Sequence, residues 1–406
     1  MSRPSPHYAW VIAATGALTL FACLGLARFA FGMLLPGMRA GLGLGFDEMG
    51  FVSTGNFVGY LAAVAMVPAL VRRFRPRALI AAGLLLIALC MLGIGLSRGF
   101  AAVLCLYALV GIGSGLANIP VMVLVSHWFR RERRGRAAGM MVMGNGAAII
   151  FSGLLIPVLN RTFGDAGWRS GWLVLGVLTF LIAVLAVCLL RNDPADLGLE
   201  PLGRREALPP QAMIPQEAPG SARVLVTLGV LYLIFGATYM IYGTFFVTTL
   251  VVEYGFAEAR AGLFWSWVGF FALFSGIAFG ALSDRIGRRG GLAAGFAVQT
   301  LAYLLAGSGL GTFALLGSVV LYGLAAFAIP SIMAAAIGDY FGLTRAASAF
   351  SIVTFFFALG QTVGPGSAGV IAAATGTFTS GYLAAAGLTA LALCLSALLP
   401  RPGALR

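Results

Sequence analysis

The 406-residue chain is 60% hydrophobic and 10% charged, with a mean hydropathy of +0.98. A soluble domain carries about 25% charged residues, so that class is excluded. The net charge of +13 comes from 26 basic residues, every one an arginine; without lysine there is neither a phosphate-loop lysine nor a Schiff-base lysine, which excludes a primary pump of the phosphate-loop kind and a retinal protein.

A helix needs roughly 20 apolar residues to cross a bilayer. Runs that long are predicted at 8–36, 48–71, 78–97, 101–126, 137–160 and 170–190, and then at 223–251, 260–282, 291–310, 313–337, 346–372 and 378–399. They are continuous rather than alternating, which excludes the strands of a β-barrel. The first is too long for the apolar core of a signal peptide and reads as a true helix. The expectation is an all-α membrane protein of twelve helices in two six-helix halves, 1–190 and 223–406, around a linker at 191–222.

Run one carries Arg28, the one ionised side chain placed well inside a span. Such a charge costs about 2.5–3.5 kcal/mol at mid-bilayer. It lies eight residues before Pro36, about 12 Å from that end at 1.5 Å per residue, too deep for easy snorkelling. Facing a cavity, it offers a bidentate contact to an anion; the alternatives are snorkelling or a bond to a backbone carbonyl. Gly55 and Gly59 in run two have the spacing of close helix contacts, as do Gly276/Gly280 and Gly360/Gly364. Asn118, Asn145, Gln299 and Gln361 are neutral polar groups in runs four, five, nine and eleven, each an interhelical bond or a cavity group. Pro120, Pro330 and Pro365 are expected to kink their helices. Trp265 and Trp267 read as interfacial anchors.

Twenty of the 26 arginines, including the clusters Arg72–Arg77 and Arg130–Arg136, fall on one side of this topology. Positive residues stay cytoplasmic, so both termini and the linker are expected inside, in a plasma membrane such as the bacterial inner membrane. The basic excess is then topology, with the lipid bilayer rather than nucleic acid as partner. The linker, rich in proline and mixed charge, reads as a flexible tether.

The halves echo each other at an offset of about 210 residues. Gly25 and Gly32 of run one match Gly236 and Gly243 of run seven, so Arg28 corresponds to Tyr239; Ile119-Pro120 matches Ile329-Pro330, and Arg136-Ala-Ala matches Arg345-Ala-Ala. Tyr239 and Tyr242 are placed to complete the hydrogen bonds of a carboxylate, or to pack helices. No Asp or Glu lies mid-span, which leaves a membrane-embedded carboxylate proton relay without a carrier. Glu253, Asp47 and Glu48 sit at helix ends. The five cysteines are scattered without a Cys-x-x-Cys pair, and the two histidines, His7 and His127, lie near the cytoplasmic edge, so no metal, cofactor or enzymatic centre is expected.

Between runs eight and nine stands Gly280-Ala-Leu-Ser-Asp284-Arg285-Ile-Gly287-Arg288-Arg289, which resembles the G-x-x-x-D-R-x-G-R-R signature of the major facilitator superfamily. Gly280 permits helix approach, Gly287 a tight turn, and Asp284 a cap or an arginine pair. The resemblance implies that the cluster stabilises the outward-open state. The first half departs from it, with Pro68 and Arg72 where the pattern has Gly and Asp. Asp193-Pro-Ala-Asp-Leu-Gly-Leu-Glu-Pro-Leu-Gly203 and Trp168-Arg-Ser-Gly-Trp172 are similar to runs in the monocarboxylate and oxalate–formate branches.

The expected function is secondary active transport by alternating access, by a monomer, of a small organic anion such as a monocarboxylate, with a proton or a counter-anion. Substrate contacts are expected from Arg28, Tyr239, Tyr242, Asn118, Asn145 and Gln361. The alternatives are an exporter of neutral or amphiphilic solutes, with Arg28 structural, and a transporter-like receptor.

Overall fold

The computed structural model describes residues 7–203 and 222–400; readings made for Arg3, Arg204, Arg205, Pro209, Pro210, Pro215, Pro219, Arg401 and Arg406 lie outside the described residues. Among the described residues the chain is helical, with ten stretches long and apolar enough to cross a membrane. In order come α1 (Ala9–Leu42), α2 (Phe46–Arg73), α3 (Pro76–Leu96) and α4 (Phe100–Trp128). The apolar stretch Glu132–Leu189 holds two helices, α5 (Arg131–Phe163) and α6 (Gly167–Leu189), around a short turn at Gly164–Ala166. Then follow α7 (Ala222–Glu253), α8 (Glu258–Gly307), α9 (Thr312–Gly342), α10 (Ser348–Thr375) and α11 (Thr379–Ala397).

At 50 residues, an unbroken α8 would run about 75 Å, more than twice the hydrocarbon thickness of about 30 Å. Gly287 breaks it, with φ 83° and ψ 160°, a conformation strained for any residue with a Cβ. The result is two limbs, 258–286 and 288–307, with the turn where the sequence motif puts it.

Prolines act unequally. Pro36 lies inside α1, which continues to Leu42 rather than ending at 36. Arg28 is therefore 14 residues from that end, about 21 Å, deeper than the sequence suggested. In α9 the helix breaks at Ala326-Phe327; a proline ring clashes with the carbonyl four residues before it, and Ala326 stands four before Pro330. The freed Phe327 N–H donates to Ser275 Oγ at 3.0 Å, the kind of side-chain rescue a helix in lipid requires.

Several glycines sit at close helix contacts. A Cβ on Gly59 would sit 1.9 Å from the Ala108 carbonyl, and Cβ atoms on Gly360 and Gly364 would each lie 2.1 Å from carbonyls of α7, so those expected contact pairs are real. Gly276 and Gly280 differ. Their Cβ positions would meet Phe327 and Ser331 at 3.4 Å or more, an ordinary contact distance, and the approach there is held by Ser331 Oγ, which donates to the Gly276 carbonyl at 3.1 Å. Trp265 is a further correction. It is 1% exposed because it shares the α8 face that packs Gly262 and Gly269 against α5; Trp267 is half exposed.

The loops carrying Arg75–Arg77, Arg130 and Arg191 meet at one end of the bundle, where Arg77 bonds Asn192 and Val187 and Trp128 Nε1 donates to the Arg191 carbonyl. The bundle is drawn shut at the opposite end. There α2 meets α10, with Gly50 against Pro365 and Gly369, and α5 meets α8, with Gly153 against Gly262. Asn160 donates to Glu258 at 2.6 Å, and the Phe46 and Phe378 rings lie 4.9 Å apart. Ser53 pairs with Thr244, and Thr54 donates to the Thr362 carbonyl. At the arginine-rich end α5 loosens: Cβ atoms on Gly135 and Gly139 would meet nothing within 4 Å.

Residues 191–203 are not the free tether that their composition suggests. Asp193 caps a turn at Pro194–Leu197, Gly198 closes it in the left-handed region, and the chain docks beside the α4–α5 junction. Arg130 N–H donates to the Leu202 carbonyl and Leu202 N–H to that of Trp128. Arg130 Nε binds the Pro201 carbonyl at 3.1 Å, and its Nη2 binds Glu200 at 2.7 Å. Glu200 is largely exposed, so the ion pair adds little and the backbone pairing carries the strap. Arg130→Ala is expected to expose 191–203 to limited proteolysis while shifting the melting temperature by only a few degrees, about 1 kcal/mol; an unchanged digestion pattern would show that the side chain is dispensable.

Candidate functional site

Arg28 lies in the last turn of a π-helical segment of α1, Phe21–Phe29, and such wide turns recur at functional sites. Three residues earlier, Gly25 presses α1 onto α5, where its Cβ would sit 2.2 Å from that of Ala148. The guanidinium lies against α2, 4.7 Å from the ring centroids of both Phe57 and Tyr60. Its Nε and Nη2 are buried without a hydrogen-bond partner. Those two N–H groups form one edge of the planar guanidinium, the fork that grips a carboxylate through two parallel bonds. Among the described residues Arg28 is the only charged side chain that is buried.

The surroundings are aromatic. Asn118 Nδ2 donates to Tyr60 Oη at 2.8 Å, which leaves the Tyr60 proton for another acceptor. Tyr239 is within electrostatic reach of Arg28 and of Tyr60, and its ring meets Phe29 edge-on at 6.2 Å and stacks on Phe235 at 5.1 Å. The structure thus brings Arg28, Asn118 and Tyr239 together and adds Phe57 and Tyr60, which sequence reasoning passed over. Their three-residue spacing puts both on one face of α2, the only sequence signal they give.

The other expected residues have the following neighbours. Tyr242 stacks on Tyr322 at 3.9 Å and on Phe246 at 4.2 Å, and its hydroxyl pairs with Ser318. Asn145 stands between Gly144, which faces α1, and Gly146, which faces α8; Gln361 lies beside Gly236 of α7. The side-chain carbonyls of Asn145 and Gln361 are buried without partners, so each offers an acceptor. Gln299 donates to the Ala325 carbonyl at 3.4 Å. A cavity of about 980 Å³ opens far from Arg28, at the shut end, and is lined by Arg39, Arg161, Asp165, Trp168 and Glu258 among others.

At the Gly287 turn, Arg288 gathers the motif. Its Nη1 binds Asp284 Oδ1 at 2.6 Å and Ser283 Oγ at 3.0 Å, and its Nε binds Asp339 Oδ2 of α9 at 2.6 Å. Asp339 was not singled out from the sequence, because it stands near the end of an apolar run. Arg289 reaches the Leu399 carbonyl at 3.5 Å, and Arg285 is exposed.

Residues 20–399 match the family model described as "Uncharacterised MFS-type transporter YbfB". The chain belongs to the major facilitator superfamily. It is similar to monocarboxylate transporter 11 of Homo sapiens, 26% identical over 423 residues that cover 94% of this chain and 80% of the relative. It is also similar to the phosphoglycerate transporter protein of Salmonella typhimurium, 23% identical over 196 residues covering 47% of this chain and 40% of that protein. The chain spans about two-fifths of the length of this and the hexose phosphate relatives it matches. A solved structure of a bacterial homolog to the human lysosomal transporter Spinster, inward-facing and unoccupied, aligns with TM-score 0.75 at 15% identity, covering 97% of each chain; that likeness shows the fold.

In this superfamily member Arg288 of the motif bridges two carboxylates. Arg288→Ala is expected to destabilise by on the order of 1 kcal/mol, since both acids are partly solvated, and Asp339→Asn in the same chain is expected to restore part of it by removing like-charge repulsion. A double-mutant cycle on melting temperature checks this; additive effects would show that Asp339 and Arg288 act independently.

Proposed function

We propose that this chain is a secondary active transporter of small organic anions that works by alternating access. On this reading each limb of α8 crosses separately, giving twelve crossings in two six-helix halves, 1–190 and 223–406. The strap at 191–203 docks on the first of these halves. The positive-inside bias supports termini and linker on the cytoplasmic side of a bacterial inner membrane. The bundle, shut at the arginine-poor end, then corresponds to an inward-facing state. Movement of the halves about the Gly50–Gly369 and Gly153–Gly262 contacts would open it outward.

The observation that carries the substrate reading is the unpartnered Nε–Nη2 edge of Arg28. A buried, unpaired guanidinium is costly unless an anion joins it, and Tyr60, Asn118 and Tyr239 supply neutral polar contacts beside it. Relatives named for carrying a monocarboxylate and phosphoglycerate agree with an anionic cargo. A proton or a counter-anion completes the cycle.

The test is thermal unfolding of the detergent-purified protein with small carboxylates, sugars, amino acids and cationic drugs, on wild type and Arg28→Gln. A ligand at 100 times its Kd stabilises by about 2.7 kcal/mol. Stabilisation by carboxylates that disappears in Arg28→Gln is expected. Stabilisation by a sugar or cation, unchanged in the variant, would refute the anion reading.

A further inference from the structure

We infer that the Arg28 site selects anions bearing a single carboxylate on an apolar, ring-containing body and discriminates against doubly charged anions. The inference rests on the organic-anion reading of Arg28 and narrows it.

Arg28 is the only buried charged side chain among the described residues, and position 239, its counterpart in the repeat, holds a tyrosine rather than a second cation. One carboxylate neutralises Arg28. A second negative charge, as in a dicarboxylate or a phosphate monoester, would find no second buried cation among the described residues and would give up hydration against aromatic rings, a cost that needs a partner charge to offset it. The phosphorylated cargo named for some relatives of this chain is therefore a poor match.

The geometry of the head group points the same way. The two free donors of Arg28 share one edge, which fits one planar carboxylate side-on. Phe57 and Tyr60 attract the guanidinium through their ring faces and accept no hydrogen bond from Nε or Nη2. Asn118 occupies an acceptor position on Tyr60 Oη, so the phenolic proton is a third donor beside the fork.

The wall next to this head group is made of rings. Phe29 follows Arg28 in the chain and meets both Tyr239 and Phe327 edge-on, at 6.2 and 6.4 Å. Tyr239 continues through Phe235 to Phe357, whose ring stacks at 5.7 Å. Such a wall gains from apolar and aromatic surface and offers little to a strongly hydrated body.

Equilibrium binding to the purified full chain at neutral pH separates the claims with phenylacetate, phenylmalonate, lactate, glycerol 3-phosphate and 2-phenylethanol. Phenylacetate is expected to bind at least about 30-fold more tightly than phenylmalonate or lactate, a difference of about 2 kcal/mol, with no binding of 2-phenylethanol. Phenylmalonate or glycerol 3-phosphate binding as tightly as phenylacetate, and lost in Arg28→Gln, would overturn the single-charge inference while leaving the anion reading intact. Lactate equal to phenylacetate would overturn the apolar body. Phenylacetate binding unchanged in both Arg28→Gln and Arg28→Lys would refute the anion reading itself. No phenylacetate binding, with the wild type folded and monodisperse, would overturn the inference whatever the anion panel shows.

Discussion

Arg28→Lys is expected to weaken anion binding by at least about 30-fold although it keeps the charge, and Arg28→Gln by at least about 100-fold. A lysine ammonium is a point charge without the fork that grips both carboxylate oxygens. It also has a weaker claim on the Phe57 and Tyr60 rings, which sit 4.7 Å from the guanidinium carbon. Hydrogen bonds to charged groups contribute about 1.5–3 kcal/mol each, so losing one of two gives the smaller figure and losing both with the charge gives the larger. Titration of the purified variants with the stabilising anion measures this. Equal affinity in wild type and Arg28→Lys would mean that charge alone, not the edge geometry, holds the ligand.

Gly262→Val is expected to trap the bundle open at the arginine-poor end. A Cβ there would sit 2.2 Å from the Gly153 carbonyl and 2.7 Å from Pro157 Cγ, and backbone cannot move aside as a flexible side chain can. Overpacking of this kind costs about 1–3 kcal/mol, borne only by the state closed at that end, so the balance between states shifts by roughly 5- to 150-fold. A cysteine in place of Ser53, which pairs with Thr244 inside the seal, reports the change: an impermeant maleimide added from the arginine-poor side should label it much faster with Gly262→Val. Gly139→Val is the control, since its Cβ would meet nothing within 4 Å. Equal labelling in all three backgrounds would mean that the Gly153–Gly262 contact is not a gate.

The sequence reveals Arg28 because a charge interrupts an otherwise apolar run, and insertion energetics make that conspicuous. Phe57 and Tyr60 escape notice for the opposite reason: aromatic residues in a membrane helix look like packing until α2 is laid against α1. The Gly287 turn is readable from its motif, whereas Asp339, which completes the Arg288 cluster, becomes visible only when α9 is placed beside the turn. The strap at 191–203 misleads by composition, since prolines and mixed charges read as a tether. Its order comes from a capped turn and from Arg130 and Trp128 (contacts across about 70 residues of chain) that no local pattern encodes. Which end of the bundle is closed depends on glycine contacts between distant helices, and is equally invisible locally.

Flux in proteoliposomes is the measurement that bears most directly on the account. Wild-type protein is expected to move into the vesicles the same anion that stabilises it against heat. Arg28→Gln should neither bind nor move it, and Gly262→Val should bind it without moving it. An anion that binds wild type tightly yet never crosses would mark a receptor rather than a carrier, and flux through Arg28→Gln at the wild-type rate would remove Arg28 from the transport path.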